Sequence, residues 1–205
     1  MSLVAHSIVP VAEIASYGLG GAMVLAILER LVPVVPSYAL FIFLGTTLAP
    51  TPADLVWLTV AVTLGSALGG TCWYGIGRLL GAERTEALVR RFGRYIWLSE
   101  RLYHSLGQRY QRHYFAATFI GQGVPVVRIY LSLPAGILRV PLPGFVLALT
   151  LGSTLWVGAF LLLGYWLHET GWNPVTATIV AVLALLVIEA AIVAACRRVS
   201  ARQAG

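Results

Sequence analysis

Arg128 sits in the middle of an otherwise apolar stretch, residues 114–140, which is interrupted by Gly121, Gly123, Pro125, Pro134 and Gly136. A cation in such a stretch costs at least about 2.5 to 3.5 kcal/mol unless it is paired or wetted. Its planar fork of N–H donors suits a phosphate; the alternative is that it snorkels to the interface or satisfies a carbonyl at a broken helix. Gln122 offers neutral donors and acceptors at the start of the same turn, either to orient the same phosphate or to close the turn. Glu29, beside Arg30 and followed by Pro33 and Pro36, is a carboxylate that can exchange a proton during a transport cycle if it is poorly hydrated. Its alternative is an interfacial pair with Arg30. Ser37 and Tyr38 bring hydroxyls to the first proline-rich turn, for a headgroup or, in the case of the tyrosine, for interfacial anchoring.

Other chemistries are narrowed by what the chain lacks. All 14 basic residues are arginine, so a lysine Schiff base and a P-loop lysine are excluded. His104, His113 and His168 match no metal-ligand spacing. Cys72 and Cys196 lie in apolar runs without partner spacing and read as packed thiols. With neither a metal cluster nor a paired histidine and acid, the sequence points away from an enzyme and from any cofactor. Glu189, in the apolar run 182–195, reads as a packing or oligomer contact.

These groups must be positioned in lipid. Of the 205 residues 59% are hydrophobic and 11% charged, outside the range of soluble domains. The pattern predicts an all-α polytopic membrane protein in a single domain over 1–205. Its expected parts are a first spanning helix over 8–28, an outer re-entrant hairpin over 30–50 and a second span over 53–80. A cytoplasmic amphipathic segment over 83–112 follows, then an inner re-entrant hairpin over 114–140 and spans over 143–168 and 175–196. Eight arginines between Arg78 and Arg112, and those of the tail, put both segments in the cytoplasm by the positive-inside rule. Four spans and two hairpins then leave both termini cytoplasmic.

An internal repeat supports this layout. Val32-Pro-Val-Val35 recurs as Val124-Pro-Val-Val127, each followed three residues later by a tyrosine, at an offset of 92 residues. Gly65-Ser66 and Gly77 recur as Gly152-Ser153 and Gly164 at an offset of 87. The hairpins would open to opposite sides, an inverted repeat of the kind that permits alternating access.

Over roughly residues 25–168 the sequence resembles the DedA family of bacterial membrane proteins, also described as VTT-domain proteins. The likeness rests on Glu29, Pro33 and Pro36-Ser37; on Gly65, Gly69, Trp73-Tyr74, Gly77-Arg78 and Gly81; on Phe92-Gly93-Arg94; and on Gly121, Pro125, Arg128, Pro134-Ala135-Gly136, Phe145, Gly152-Ser153 and Trp156. It implies a flippase- or scramblase-like lipid transporter of the bacterial cytoplasmic membrane that moves a lipid phosphate, above all a polyprenyl phosphate such as undecaprenyl phosphate, with proton coupling. In that reading Arg128, Gln122, Ser37 and Tyr38 hold the phosphate and Glu29 carries the proton. Tyr38, Gly70 and Gln122 depart from the family pattern, where two acids and an arginine are usual, which opens an uncoupled phospholipid scramblase as the alternative. An ion or small-solute carrier and a packing scaffold are the others. The expected partner is membrane lipid, with no nucleic acid and a possible homo-oligomer.

Overall fold

The computed structural model describes residues 13–32, 36–92, 107–171, 173–185 and 187, with no strand among them. Its helices are α1 (Gly18–Leu31), α2 (Ser37–Leu48), α3 (Pro52–Phe92), α4 (Tyr114–Gly121), α5 (Pro125–Tyr130), α6 (Ser132–Ile137), α7 (Leu142–Glu169) and α8 (Pro174–Leu185). A further helical stretch covers 107–112. Prolines start these helices rather than only ending them. Pro52, Pro125 and Pro143 stand in first-turn positions, where the missing N–H costs nothing. At the head of α3, the Asp54 amide donates to Thr51 Oγ1 at 3.2 Å and the Thr51 hydroxyl donates back to the Asp54 carboxylate at 2.6 Å, closing the exposed first turn.

Among the described residues two helices are long and apolar enough to cross a membrane: 30 residues of α3, Pro52–Gly81, and the 28 residues of α7. At 1.5 Å per residue they measure about 45 and 42 Å. Their outward faces carry Val56, Trp57, Leu64 and Leu79 on α3 and Leu147, Leu151, Leu155 and Trp166 on α7, all exposed. Meanwhile two arginines and a glutamate are buried. Apolar outside and charged inside is the arrangement for lipid, and the chain is an all-α membrane protein. Beyond Gly81, whose φ of 71° breaks the helix, the backbone of α3 stays helical to Phe92.

The contacts fix how the helices run. Tyr74 stacks on Phe145 with centroids 5.0 Å apart, and Gly70 meets Leu149, while Thr59 meets Gly158, so α3 and α7 are antiparallel. Gly65 meets Met23, Gly69 meets Ile27 and Trp73 bonds the Arg30 carbonyl, so α1 runs parallel to α3. Tyr38 meets Phe160 and His168 meets Thr46, so α2 runs parallel to α7. It follows that α1 and α2 are the two legs of one helical hairpin with its tip between Leu31 and Ser37.

Within the described residues, the run expected to span over 8–28 contains α1 from Gly18 onward, which forms the first leg of this hairpin together with part of the expected 30–50 segment. The 14 residues of α1 reach about 21 Å, less than a bilayer core. They begin after a turn at Ser16 and Tyr17, where Gly18 takes a φ of 66°. Pro36 caps the start of the second leg, and the first leg lies in the run that looked like a span. Residues 1–12, on which the rest of that helix fell, lie outside the described residues, as do 93–106 of the amphipathic segment and most of 186–196 of the last span.

Residues 114–140 form a second hairpin. Its first leg, α4, runs parallel to α7, with Tyr114 against Gly144 and Gln122 against Gly152. After a turn over 122–124, α5 and α6 lead back to Val140, whose carbonyl accepts a 2.7 Å hydrogen bond from Tyr74. Each hairpin packs its second leg on the long helix of the other half: α2 on α7 and α6 on α3. Glycine makes both crossings possible. A Cβ at Gly164 would sit 2.3 Å from the Ile42 carbonyl, and one at Gly136 would sit 2.0 Å from that of Tyr74.

Candidate functional site

Polar groups from the two hairpins meet. Glu29 and Arg30 close α1, Ser37 opens α2, Gln122 follows α4, Arg128 lies on α5, and Ser153 lies midway along α7. All six are buried, with Arg30 and Arg128 at 0% exposure. At the ends of the broken helices the terminal backbone groups have no partner within the helix, so they add donors and acceptors beside these side chains.

Arg128 is held on three sides. Its Nη1 donates to Ser37 Oγ at 3.1 Å. Its guanidinium carbon lies 5.6 Å from the Phe41 ring centroid and 5.3 Å from that of Trp156, within cation–π range. Its Nη2 stands 3.9 Å from Glu29 Oε2, where the charges attract but no hydrogen bond forms. Nε and Nη2, the side-on edge of the fork, have no hydrogen-bond partner, and neither does Glu29 Oε2.

Arg30 is held differently. Its Nη2 donates to Gln122 Oε1 at 2.5 Å and to Ser153 Oγ at 3.4 Å, and Ser153 in turn donates to Gln122 Oε1 at 3.3 Å. Trp73 Nε1 donates to the Arg30 carbonyl at 3.0 Å, which fixes the end of α1 against α3. Its Nε and Nη1 have no partner. Ser153 and Trp156 are three residues apart on α7, so the two arginine environments share one face of that helix.

The structure therefore brings Arg128, Gln122, Ser37 and Glu29 together. Tyr38, next to Ser37, is half-buried with its ring 6.1 Å from that of Phe160. Sequence reasoning gave Arg30 no role beyond pairing with Glu29, and it missed Phe41 altogether. One signal was present: Arg30 and Gln122 are separated by 92 residues, the offset of the repeat. Among the described residues no group of three or more His, Cys, Asp or Glu is arranged to hold a metal ion.

Two buried arginines, each with two nitrogens free of hydrogen-bond partners, thus stand near one carboxylate, with Phe41 and Trp156 flanking Arg128; donors of this kind suit an anion with several oxygens. Comparison with known proteins bears on which anion. The family model of the VTT domain matches residues 35–166. A protein of Lactococcus lactis named alkaline phosphatase-like protein is 30% identical over 141 residues, 68% of this chain and 66% of that one. The chain thus spans just under two thirds of that relative. Undecaprenyl phosphate transporter A of Staphylococcus aureus is 27% identical over 157 residues, 77% of each chain. The protein of the same name in Bacillus subtilis is 24% identical over 145 residues, 71% of each. No solved structure matches.

Proposed function

The chain belongs to the VTT-domain, or DedA, family, and from that premise we propose that it is a transporter of lipid phosphates, with a polyprenyl phosphate as its leading substrate. The observation that carries this reading is Arg128, fully buried where the two hairpin tips meet, with the side-on edge of its guanidinium free of hydrogen-bond partners. A phosphate oxygen pair fits that edge, Ser37 and Gln122 add neutral hydrogen bonds, and Tyr38 adds a hydroxyl at the head of α2. The prenyl chain stays in the bilayer, against the exposed apolar faces of α3 and α7. The headgroup is then the only large barrier the protein has to lower.

In this proposal the hairpins are re-entrant from opposite sides and form an inverted repeat. The two glycine crossings support it: Gly45 and Gly136 occupy corresponding positions of the repeat, as do Gly164 and Gly77, and Gly45 meets Gly164 while Gly136 and Gly77 lie against the backbone of Tyr74 and Leu133. With α3 and α7 crossing and α8 crossing back, the arginine-bearing segments fall on one side, the cytoplasm. The expected cytoplasmic N-terminus rested on the span over 8–28, and the direction of α1 removes that support. Glu29 is the proposed proton carrier, because its protonation would free Arg128 for the phosphate and alter the charge of the site by one unit.

The test is reconstitution in vesicles, following movement of a polyprenyl phosphate and of a phospholipid with and without a pH gradient. Gradient-stimulated movement of the polyprenyl phosphate fits the proposal. Movement of phospholipid alone makes the protein a scramblase, and flux of a dissolved ion without lipid makes it a solute carrier. The name of the Lactococcus relative favours a second reading, a phosphatase; release of inorganic phosphate from the lipid in the same assay would establish it.

A further inference from the structure

We propose that Arg30 is the second cation of the phosphate site, and that it selects a phosphate monoester over a diester. The inference rests on the lipid-phosphate reading and names what that site recognises. Among the described buried residues there are two arginines and one acid, Glu29. Glu29 Oε2 lies 3.9 Å from Arg128 Nη2, so with Glu29 ionised the two arginines and the acid together carry one net positive charge, and with Glu29 protonated, as in the proposed cycle, they carry two. Arg30 makes its hydrogen bonds through Nη2 alone, to neutral partners, and leaves Nε and Nη1 unused inside a fully buried side chain. Uncompensated buried charge is costly, and with Glu29 protonated a dianion offsets both guanidiniums where a monoanion offsets one. A monoester headgroup carries up to two negative charges near neutral pH and a diester carries one, so the second guanidinium is where the two are told apart.

Gln122 is the partner that makes this testable. It stands at the repeat position of Arg30, and the two side chains touch at 2.5 Å across the meeting of the hairpin tips. Exchanging them leaves one cation and one amide in the same pair.

The experiment measures equilibrium binding to the full-length, detergent-solubilised protein of farnesyl phosphate, a monoester, and of dihexanoyl phosphatidylglycerol, a diester. Thermal unfolding of each variant is followed alongside. Arg30→Gln is expected to weaken farnesyl phosphate by about tenfold or more, the scale of one buried charge-assisted contact, and the diester by less than about threefold. The swap R30Q/Q122R is expected to restore the monoester to within about threefold of the parent. Parent-like monoester binding by Arg30→Gln overturns the inference, and so does a folded swap that stays as weak as the single variant. If Arg30→Gln does not fold, Arg30→Lys replaces it: it keeps the charge but loses the planar fork, and its monoester binding must fall. Unchanged binding by Arg30→Lys also overturns the inference. Arg128→Ala separates the two levels: if it binds both ligands like the parent, the transporter site itself is misplaced, whereas loss there with no effect at Arg30 removes only the role of Arg30. In a parallel arm, inorganic phosphate that displaces farnesyl phosphate with the same Arg30 dependence identifies free phosphate as the ligand of the two cations, which supports the pairing without the prenyl chain.

Discussion

Arg30 donates a 2.5 Å hydrogen bond to the side-chain carbonyl of Gln122, and the 92 residues between them are also the interval that carries Val32-Pro-Val-Val35 onto Val124-Pro-Val-Val127. In the proposed inverted repeat, equivalent positions that touch each other lie beside the axis relating the two halves. Around this contact every other buried charge of the described residues is gathered, where helices end.

The glycine crossings are tight enough for one methyl group to matter. Gly164→Ala would bring a Cβ to 2.3 Å from the Ile42 carbonyl and 2.9 Å from Gly45 Cα, so α2 and α7 must separate. A loss of about 1–3 kcal/mol is expected, the usual cost of overpacking. Gly75→Ala, with nothing within 4 Å of its Cβ on the same kind of helix, is the control and is expected to be neutral or up to about 1 kcal/mol stabilising. Thermal unfolding of both variants in one detergent decides it; equal behaviour would mean that the crossing is not a fixed contact.

Tyr74 ties α3 to the return of the second hairpin. Its hydroxyl donates to the Val140 carbonyl at 2.7 Å and accepts from Arg78 Nη1 at 2.9 Å. Tyr74→Phe keeps the stack on Phe145 but leaves a carbonyl and a guanidinium each short of a partner. Destabilisation of about 1–2 kcal/mol is expected by thermal or denaturant unfolding. No change would show that water replaces the hydroxyl.

The corrected direction of α1 predicts a topology. In a Cys72→Ser, Cys196→Ser background, Tyr17→Cys and Thr170→Cys are expected to react with a membrane-impermeant thiol reagent from the same face, since α1 runs with α3 and against α7. Labelling of Tyr17→Cys from the opposite face, or from neither, would contradict that direction.

How far these features could be read from the sequence follows from the range of the interactions involved. The lengths of α3 and α7 were legible because lipid demands long apolar runs, and Arg128 was legible because a lone cation in such a run has a calculable cost. The role of α1 was not legible. Twenty apolar residues look the same whether they cross or turn back at a proline, and the choice is made by packing against Gly65 and Gly69 of α3. The partners of Arg128 were hidden for a similar reason: Ser37, Phe41 and Trp156 come from two other helices. Only the repeat, which links positions rather than neighbours, pointed across the chain.

Glu29→Gln removes the one buried acid of the described site while keeping its shape. If Glu29 carries the coupling proton, the variant moves lipid phosphate at a rate that no longer rises with an imposed pH gradient, whereas the parent's rate does. The two are compared in vesicles with the gradient set and collapsed. A gradient response retained in full by Glu29→Gln assigns coupling to another group.

The central claim is that the buried Arg128 holds the phosphate of a membrane lipid. The most direct measurement is the movement of a polyprenyl phosphate across vesicles containing the parent or Arg128→Ala, with folding of both confirmed by thermal unfolding. The account predicts that the folded variant moves it at least about a hundredfold more slowly, the upper scale for losing a charge-assisted contact from a buried site. Movement at the parent's rate by a folded Arg128→Ala contradicts it.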